Sequence, residues 1–144
     1  MSSLKQYQYW DNGNVKQCDI YDTEGRLQAR AFCRNDGTVE KIEKYDEYGK
    51  EVEEALYDQN GKLKAGLDGW AAMRWFYRDG RLASQISYTE YGRPIERKQY
   101  SESGKLVLRQ YVDDDSVPPY EEANMYLLLG GNNVKYYDPT KSSD

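Results

Sequence analysis

Tyr57-Asp58-Gln59-Asn60-Gly61-Lys62-Leu63 sets out the plan of this chain: a tyrosine, an aspartate, a glycine three residues later and an aliphatic side chain two residues after that. Tyr21-Asp22-Thr23-Glu24-Gly25-Arg26-Leu27 repeats it. An Asp that opens the turn and a Gly where positive φ is needed specify a type I turn closed by a G1 bulge. Folding about such a turn sets Tyr57 opposite Leu63 and Tyr21 opposite Leu27, cross-strand pairs worth roughly 0.2–1 kcal/mol each.

Outward from these two turns the pattern covers most of the chain. Gly13, Gly25, Gly37, Gly49 and Gly61 stand twelve residues apart, and Gly80, Gly92 and Gly104 resume that step after a gap of nineteen. Four residues before the glycines come Tyr9, Tyr21, Cys33, Tyr45, Tyr57, Phe76, Tyr88 and Tyr100, with Cys33 a small apolar stand-in for tyrosine. Two residues after them come Val15, Leu27, Val39, Leu63, Leu82 and Leu106; after Gly49 and Gly92 the aliphatic slips by one, to Val52 and Ile95. What remains of each unit makes a strand of about six or seven residues, and each step reverses direction. The sequence therefore predicts a mainly β protein, an antiparallel meander of about nine or ten short strands in an open, twisted single-layer sheet or curled half-barrel, with closure into a barrel left open.

Strict alternation along these strands puts Leu27, Ala29, Ala31 and Cys33 on one face, and Gln28, Arg30 and Phe32 on the other with Lys16, Cys18 and Ile20. On that count neither face is continuously apolar, and the two cysteines, expected as reduced structural thiols, point to opposite faces without forming a disulfide.

The sheet is expected over residues 1–112, interrupted at about 64–77 by an aromatic insertion holding Trp70, Trp75 and Tyr77. Residues 113–144 read as an acidic linker, a short helix over about 119–129 and a tail: Pro118-Pro119 precede Glu121 and Glu122, Gly130-Gly131 close the helix, and Met125, Leu128 and Leu129 give it an apolar side. Asp113-Asp114-Asp115 belongs to the solvated linker, because calcium requires oxygens organised around a shaped loop and no such spacing follows.

Composition narrows the function. Only 38% of the 144 residues are hydrophobic and 31% are charged, yet 15 tyrosines and 3 tryptophans are far more aromatic surface than a disordered chain carries. A thin, tyrosine-stabilised structure follows. The net charge of −5 and a pI near 4.9 argue against binding a phosphate backbone and favour a partner with a basic face. The first residues lack the apolar core of a secretory signal and no stretch reaches a membrane span, so the expectation is a cytoplasmic protein. With no histidine and two cysteines, neither a zinc site nor an imidazole base is expected, and no glycine-rich loop leads into a helix to cradle phosphate. No cofactor, metal or catalytic residue is assigned.

Tyr57-Asp58-Gln59-Asn60-Gly61-Lys62-Leu63 and Tyr77-Arg78-Asp79-Gly80-Arg81-Leu82 resemble variant MORN-type repeats of bacterial proteins labelled antitoxins, and the Tyr-Asp repeats of large secreted toxin shells. The resemblance spans about residues 7–112 and rests on a turn and its clasp. The Gly-x-Trp element of MORN units appears only at Gly69-Trp70, or loosely. The resemblance implies a non-catalytic protein-binding module, an immunity or antitoxin type of inhibitor that neutralises a basic toxin domain. Residues 56–84 also resemble one choline- or glucan-binding cell-wall repeat, which implies the alternative of a carbohydrate or cell-envelope binding module. Candidate contact residues are Trp70, Trp75 and Tyr77, which could form an aromatic platform, and the turn-flanking Tyr45, Tyr48, Tyr88 and Tyr91. Unpaired sheet edges leave a homodimer open.

Overall fold

The computed structural model describes residues 4–111 and 120. Nine strands follow one another: β1 (Leu4–Tyr9), β2 (Val15–Tyr21), β3 (Leu27–Cys33), β4 (Val39–Tyr45), β5 (Glu51–Leu56), β6 (Ala72–Arg78), β7 (Arg81–Tyr88), β8 (Pro94–Tyr100) and β9 (Leu106–Tyr111). Each pairs antiparallel with the next, in the order β1 to β9, giving one open sheet edged by β1 and β9. The meander and its strand number are as the glycine spacing predicts, and the sheet stays open rather than curling. No helix occurs among the described residues; the helix expected over 119–129 lies outside them, apart from Tyr120.

The turns fold as their chemistry dictates. In Asp22-Thr23-Glu24-Gly25-Arg26 the Gly25 N–H donates to the Asp22 carbonyl at 3.0 Å, the Asp22 N–H donates to the Arg26 carbonyl at 2.8 Å, and Gly25 takes φ 83°. The Asp22 carboxylate accepts from the Glu24 and Arg26 N–H groups at 2.9 Å each, as Asp58 does from Asn60 at 2.8 Å and Lys62 at 3.0 Å. Asp58→Ala removes both hydrogen bonds, which share one carboxylate oxygen, and a loss of about 1 kcal/mol of unfolding free energy is expected in urea titration. A loss below about 0.3 kcal/mol would show that the glycine alone sets the turn.

Both clasps named from the sequence are present: Tyr21 pairs with Leu27, and Tyr57 with Leu63. After Gly49 and Gly92, however, the paired positions are held by Glu51 and Pro94, opposite Tyr45 and Tyr88, so Val52 and Ile95 are the bulge residues instead. Between β6 and β7 the turn shortens to Asp79-Gly80, both at positive φ (52° and 78°), the pattern of a two-residue hairpin. That shortening makes Tyr77 the partner of Leu82, while Phe76 lies opposite Ser84.

Strict alternation fails at the bulges. The β2–β3 register shifts between Ile20 and Tyr21, so that Ile20 pairs with Ala29, Tyr21 with Leu27, and Gln28 is the extra residue. Each such residue inverts the parity of everything beyond it. Cys18 and Ile20 consequently share a face with Ala29, Ala31 and Cys33, correcting the assignment of the cysteines to opposite faces. Pairings Tyr7/Cys18, Cys18/Ala31, Ala31/Ile42, Ile42/Ala55, Ala55/Ala72 and Ala72/Tyr88 run one row across seven strands. With Val15, Ile20, Ala29, Cys33, Val39 and Tyr57 it forms the buried core, against which Tyr7 is partly buried, so the core lies on one face, although the neighbouring row on that face carries Lys44, Glu53, Arg74 and Arg97.

Cys18 and Cys33 are free and buried, and burial raises their pKa to about 11 and about 12. The thiolate is the reactive form, so both thiols should resist maleimide at pH 7 in the native protein and react once it is unfolded. Labelling of the folded chain at the rate of a free thiol would contradict this core.

The aromatic insertion is shorter than 64–77. Period-two alternation of Met73, Trp75 and Tyr77 against Ala72, Arg74 and Phe76 makes 72–78 a strand, β6. The phase break is confined to the loop before it, where a further turn is closed by the Gly66 N–H to the Trp70 carbonyl and the Gly69 N–H to the Gly66 carbonyl, each at 3.0 Å.

Candidate binding surface

Because consecutive strands run in opposite directions, the hairpin turns alternate between the two ends of the sheet. At one end stand the turns before β2, β4, β6 and β8, whose pairs Tyr9/Val15, Cys33/Val39, Tyr57/Leu63 and Tyr88/Pro94 follow the parity of the apolar face. Side chains tie these turns sideways: the Trp10 indole N–H donates to the Cys33 carbonyl at 3.3 Å, the Arg34 guanidinium to the Tyr57 carbonyl, and the Asn12 amide to the Asn35 carbonyl at 2.8 Å. At the other end the clasps Tyr21/Leu27, Tyr45/Glu51, Tyr77/Leu82 and Tyr100/Leu106 lie on the polar face.

The apolar face holds one ionic node. Glu53 accepts from Arg74 Nε at 3.0 Å and from the Tyr120 hydroxyl at 2.8 Å, with Lys44 Nζ at 3.1 Å. Burial alone would raise its pKa, but the charge of Lys44 and the hydrogen bonds from Tyr120 and Arg74 outweigh it and hold the carboxyl below its usual range. Tyr120 lies over Tyr88 with centroids 5.4 Å apart and under the Arg74 guanidinium at 4.7 Å, while its N–H donates to the Gly92 carbonyl at 2.8 Å. A Cβ at Gly92 would come within 3.1 Å of the Tyr120 carbonyl, so this docking and a φ of 79° both require glycine there.

On the polar face ion pairs run both across and along strands. Arg30 Nε meets Asp19 at 2.8 Å, and Lys41 Nζ stands 3.4 Å from Glu43 and 3.6 Å from Glu54. Glu43, Glu51 and Glu54 bring carboxylate oxygens within 4.8 Å of one another. Burial, then the charges of Glu43 and Glu54, push the Glu51 pKa up to about 7. Lys41 already supplies a cation to this cluster, and Tyr45 donates its hydroxyl to Glu43 at 2.7 Å.

The residues singled out from sequence do not form one site. Met73, Trp75 and Tyr77 follow one another along the polar face of β6, but no ring contact joins Trp70, Trp75 and Tyr77. The Trp75 indole N–H donates to Gln85 at 3.1 Å, and the Tyr77 hydroxyl to the Glu51 carbonyl at 2.7 Å. Trp70 borders a separate open groove of about 380 Å³ with Asp68, Met73, Gln85, Glu96 and Lys98. Tyr48 and Tyr91 stand out from their turns, 81% and 83% exposed, and Tyr45 is half-buried beside the first. Tyr88 is 2% exposed and belongs to the core. The Glu53 node and Tyr120 have no sequence signal, since Glu51, Glu53 and Glu54 follow one another in a run of similar residues.

These features define an open antiparallel β-meander repeat protein with one apolar face and one charged, tyrosine-bearing face. No helix among the described residues is long and apolar enough to cross a membrane. No family model matches the chain, and no curated protein matches it. Among solved structures it is similar to accessory secretory protein 1, 2 and 3 of Streptococcus pneumoniae, at 17% identity over 71% of this chain and 18% of that chain, with a TM-score of 0.41. A GtfA/B complex bound to UDP and GlcNAc matches at 12% identity over 76% of this chain and 19% of that one, TM-score 0.32. A DUF3836 family protein from Bacteroides vulgatus matches at 13% identity over 78% of this chain and all of that one, TM-score 0.21. The chain spans under a fifth of the first two.

Proposed function

We propose that the chain is a non-catalytic protein-binding module of the immunity or antitoxin type, acting in the cytoplasm by covering a basic partner with its polar face. The observation that carries this reading is the row of polar-face clasps at one sheet end, with exposed Tyr48 standing beside Asp46 and Glu47. Tyrosine supplies large contact area at low conformational-entropy cost, and surrounding acids steer a basic surface toward it. The net charge of −5 and the repeat resemblance support the same reading. Affinity capture of the tagged chain from its native host, followed by a salt wash and mass spectrometry, is expected to recover one basic protein in stoichiometric amount. Recovery of small molecules without protein would count against the proposal.

The Trp70 groove favours a second reading, a carbohydrate or cell-envelope site, because an indole there stands among the polar side chains of Asp68, Gln85, Glu96 and Lys98. Titration of tryptophan fluorescence with choline and glucan fragments tests it, and a flat response to millimolar ligand removes it.

A further inference from the structure

The turn glycines at the two ends of the sheet have different surroundings, although the turns are built alike. Where the clasps lie on the polar face, Gly25, Gly49, Gly80 and Gly104 are all exposed. At the opposite end Gly37, Gly61 and Gly92 are buried, while Gly13, in the turn nearest the β1 edge, is exposed. The clasp residues divide in the same way: Val39, Leu63 and Tyr88 are buried, whereas Leu27, Leu82 and Leu106 are not.

A single layer of strands does not bury the ends of its own hairpins. The sideways ties at this end bond to the Cys33, Asn35 and Tyr57 carbonyls rather than to the glycines. The turn that supplies Trp10 and Asn12 to those ties is the one whose Gly13 is exposed, so the ties do not cover a turn on their own.

At one of the three buried turns the cover is identified. Tyr120 donates its N–H to the Gly92 carbonyl at 2.8 Å, and its own carbonyl lies 3.1 Å from the place a Cβ on Gly92 would take. Past the end of β9 the chain is thus back on the apolar face at Tyr120, with its ring against Tyr88 and its hydroxyl on Glu53.

We infer that residues 121–133 of this same chain run on from Tyr120 across this end of the sheet, covering the turns 58–62 and 34–38 as Tyr120 covers the turn 89–93. The length fits. Successive turns at one end are two strands apart, which puts Gly61 about 10 Å from Gly92, Gly37 about 19 Å and Gly13 about 29 Å. The helix expected from sequence advances about 15 Å over residues 120–129, and 130–133 add up to about 13 Å, enough to reach Gly37 with slack and to stop short of Gly13. Charge fits as well, because residues 113–144 hold seven acids and two bases, the whole net charge of −5. Glu121 and Glu122 follow Tyr120 directly, and on the strand beside Tyr88 the buried Nε of Arg97 has no acceptor among the described residues. Met125, Leu128 and Leu129 supply the apolar surface that Val39 and Leu63 require. The apolar-face end is then closed by the chain itself, and the polar-face end stays open whatever binds there.

The test uses the full chain carrying a nitroxide at Asn124→Cys or Asn133→Cys, since the native thiols are buried. Amide NMR spectra before and after reduction of the nitroxide with ascorbate map what lies near it. From Asn124→Cys the strongest broadening is expected at 58–62 and 89–93, and from Asn133→Cys at 34–38, each severalfold above that at Gly25, Gly49, Gly80 and Gly104. A mixture of nitroxide-bearing chain with isotope-labelled parent should leave the parent unbroadened. Equal broadening at the two ends, or none at 34–38 and 58–62, overturns the inference. Broadening of the parent in the mixture overturns it too, because a second copy's segment is then the cover. Neither readout needs a partner, so this inference and the protein-binding proposal stand or fall separately.

Discussion

Glu53→Ala is expected to lower the unfolding free energy by about 3 kcal/mol. Its carboxylate is 13% exposed and takes Lys44, Arg74 and the Tyr120 hydroxyl together, so removing it strands two cations and a phenol in a half-dry environment. Urea titration at pH 7 reads the loss. Lys44→Ala leaves the carboxylate with Arg74 and the Tyr120 hydroxyl, so it should cost about 1 kcal/mol. Equal losses from Glu53→Ala and Lys44→Ala would contradict a node centred on Glu53. Because the folded pKa of Glu53 is lowered, its contribution is present above the ordinary glutamate range and is lost as pH falls through the folded value.

Glu51 has the opposite sign. Its folded pKa of about 7 stands above the ordinary 4.5, so between these values the unfolded chain releases a proton that the folded chain keeps. The unfolded state then binds fewer protons, and stability falls as pH rises from about 4.5 to about 7. Glu51→Gln removes the titrating charge beside Glu43 and Glu54. The variant is expected to match the parent near pH 4.5 and to exceed it by about 2 kcal/mol at pH 8. Thermal or urea melts across pH 4.5–8 measure both; parallel profiles for parent and variant would show that Glu51 ionises normally in the fold. The parent's stability should thus peak on the acid side of neutrality, between the loss at Glu53 below and the loss at Glu51 above.

The turns were legible because their chemistry is local. Asp58 and Gly61, or Asp22 and Gly25, need only their own backbone to form the loop, so spacing alone gave the strand order and the clasps Tyr21/Leu27 and Tyr57/Leu63. The faces were not legible, because a bulge residue such as Gln28 adds one position that alternation does not count. That parity change moves Cys18 and Ile20 to the face of Ala31, and its repetition at the other bulges lines Cys18, Ala31, Ile42, Ala55 and Ala72 up in one buried row. The aromatic stretch at Trp70–Tyr77 looked like one platform because its residues are adjacent in sequence. Strand pleating and the turn at Gly66–Gly69 instead distribute them, leaving Trp70 with Gln85 and Glu96 and Tyr77 with Lys50. Tyr45 and Tyr48 did come together, since a clasp and its own turn are close by construction.

Side-chain footprinting of the complex with hydroxyl radicals tests the central claim most directly, because tyrosines on the two faces report separately. With the captured partner bound, oxidation of Tyr45, Tyr48 and Tyr100 on the polar face is expected to fall severalfold, while Tyr9, 53% exposed on the other parity, stays unchanged. Protection of Tyr9 and Tyr7 with Tyr45, Tyr48 and Tyr100 unaltered would place the partner on the opposite face and contradict the account.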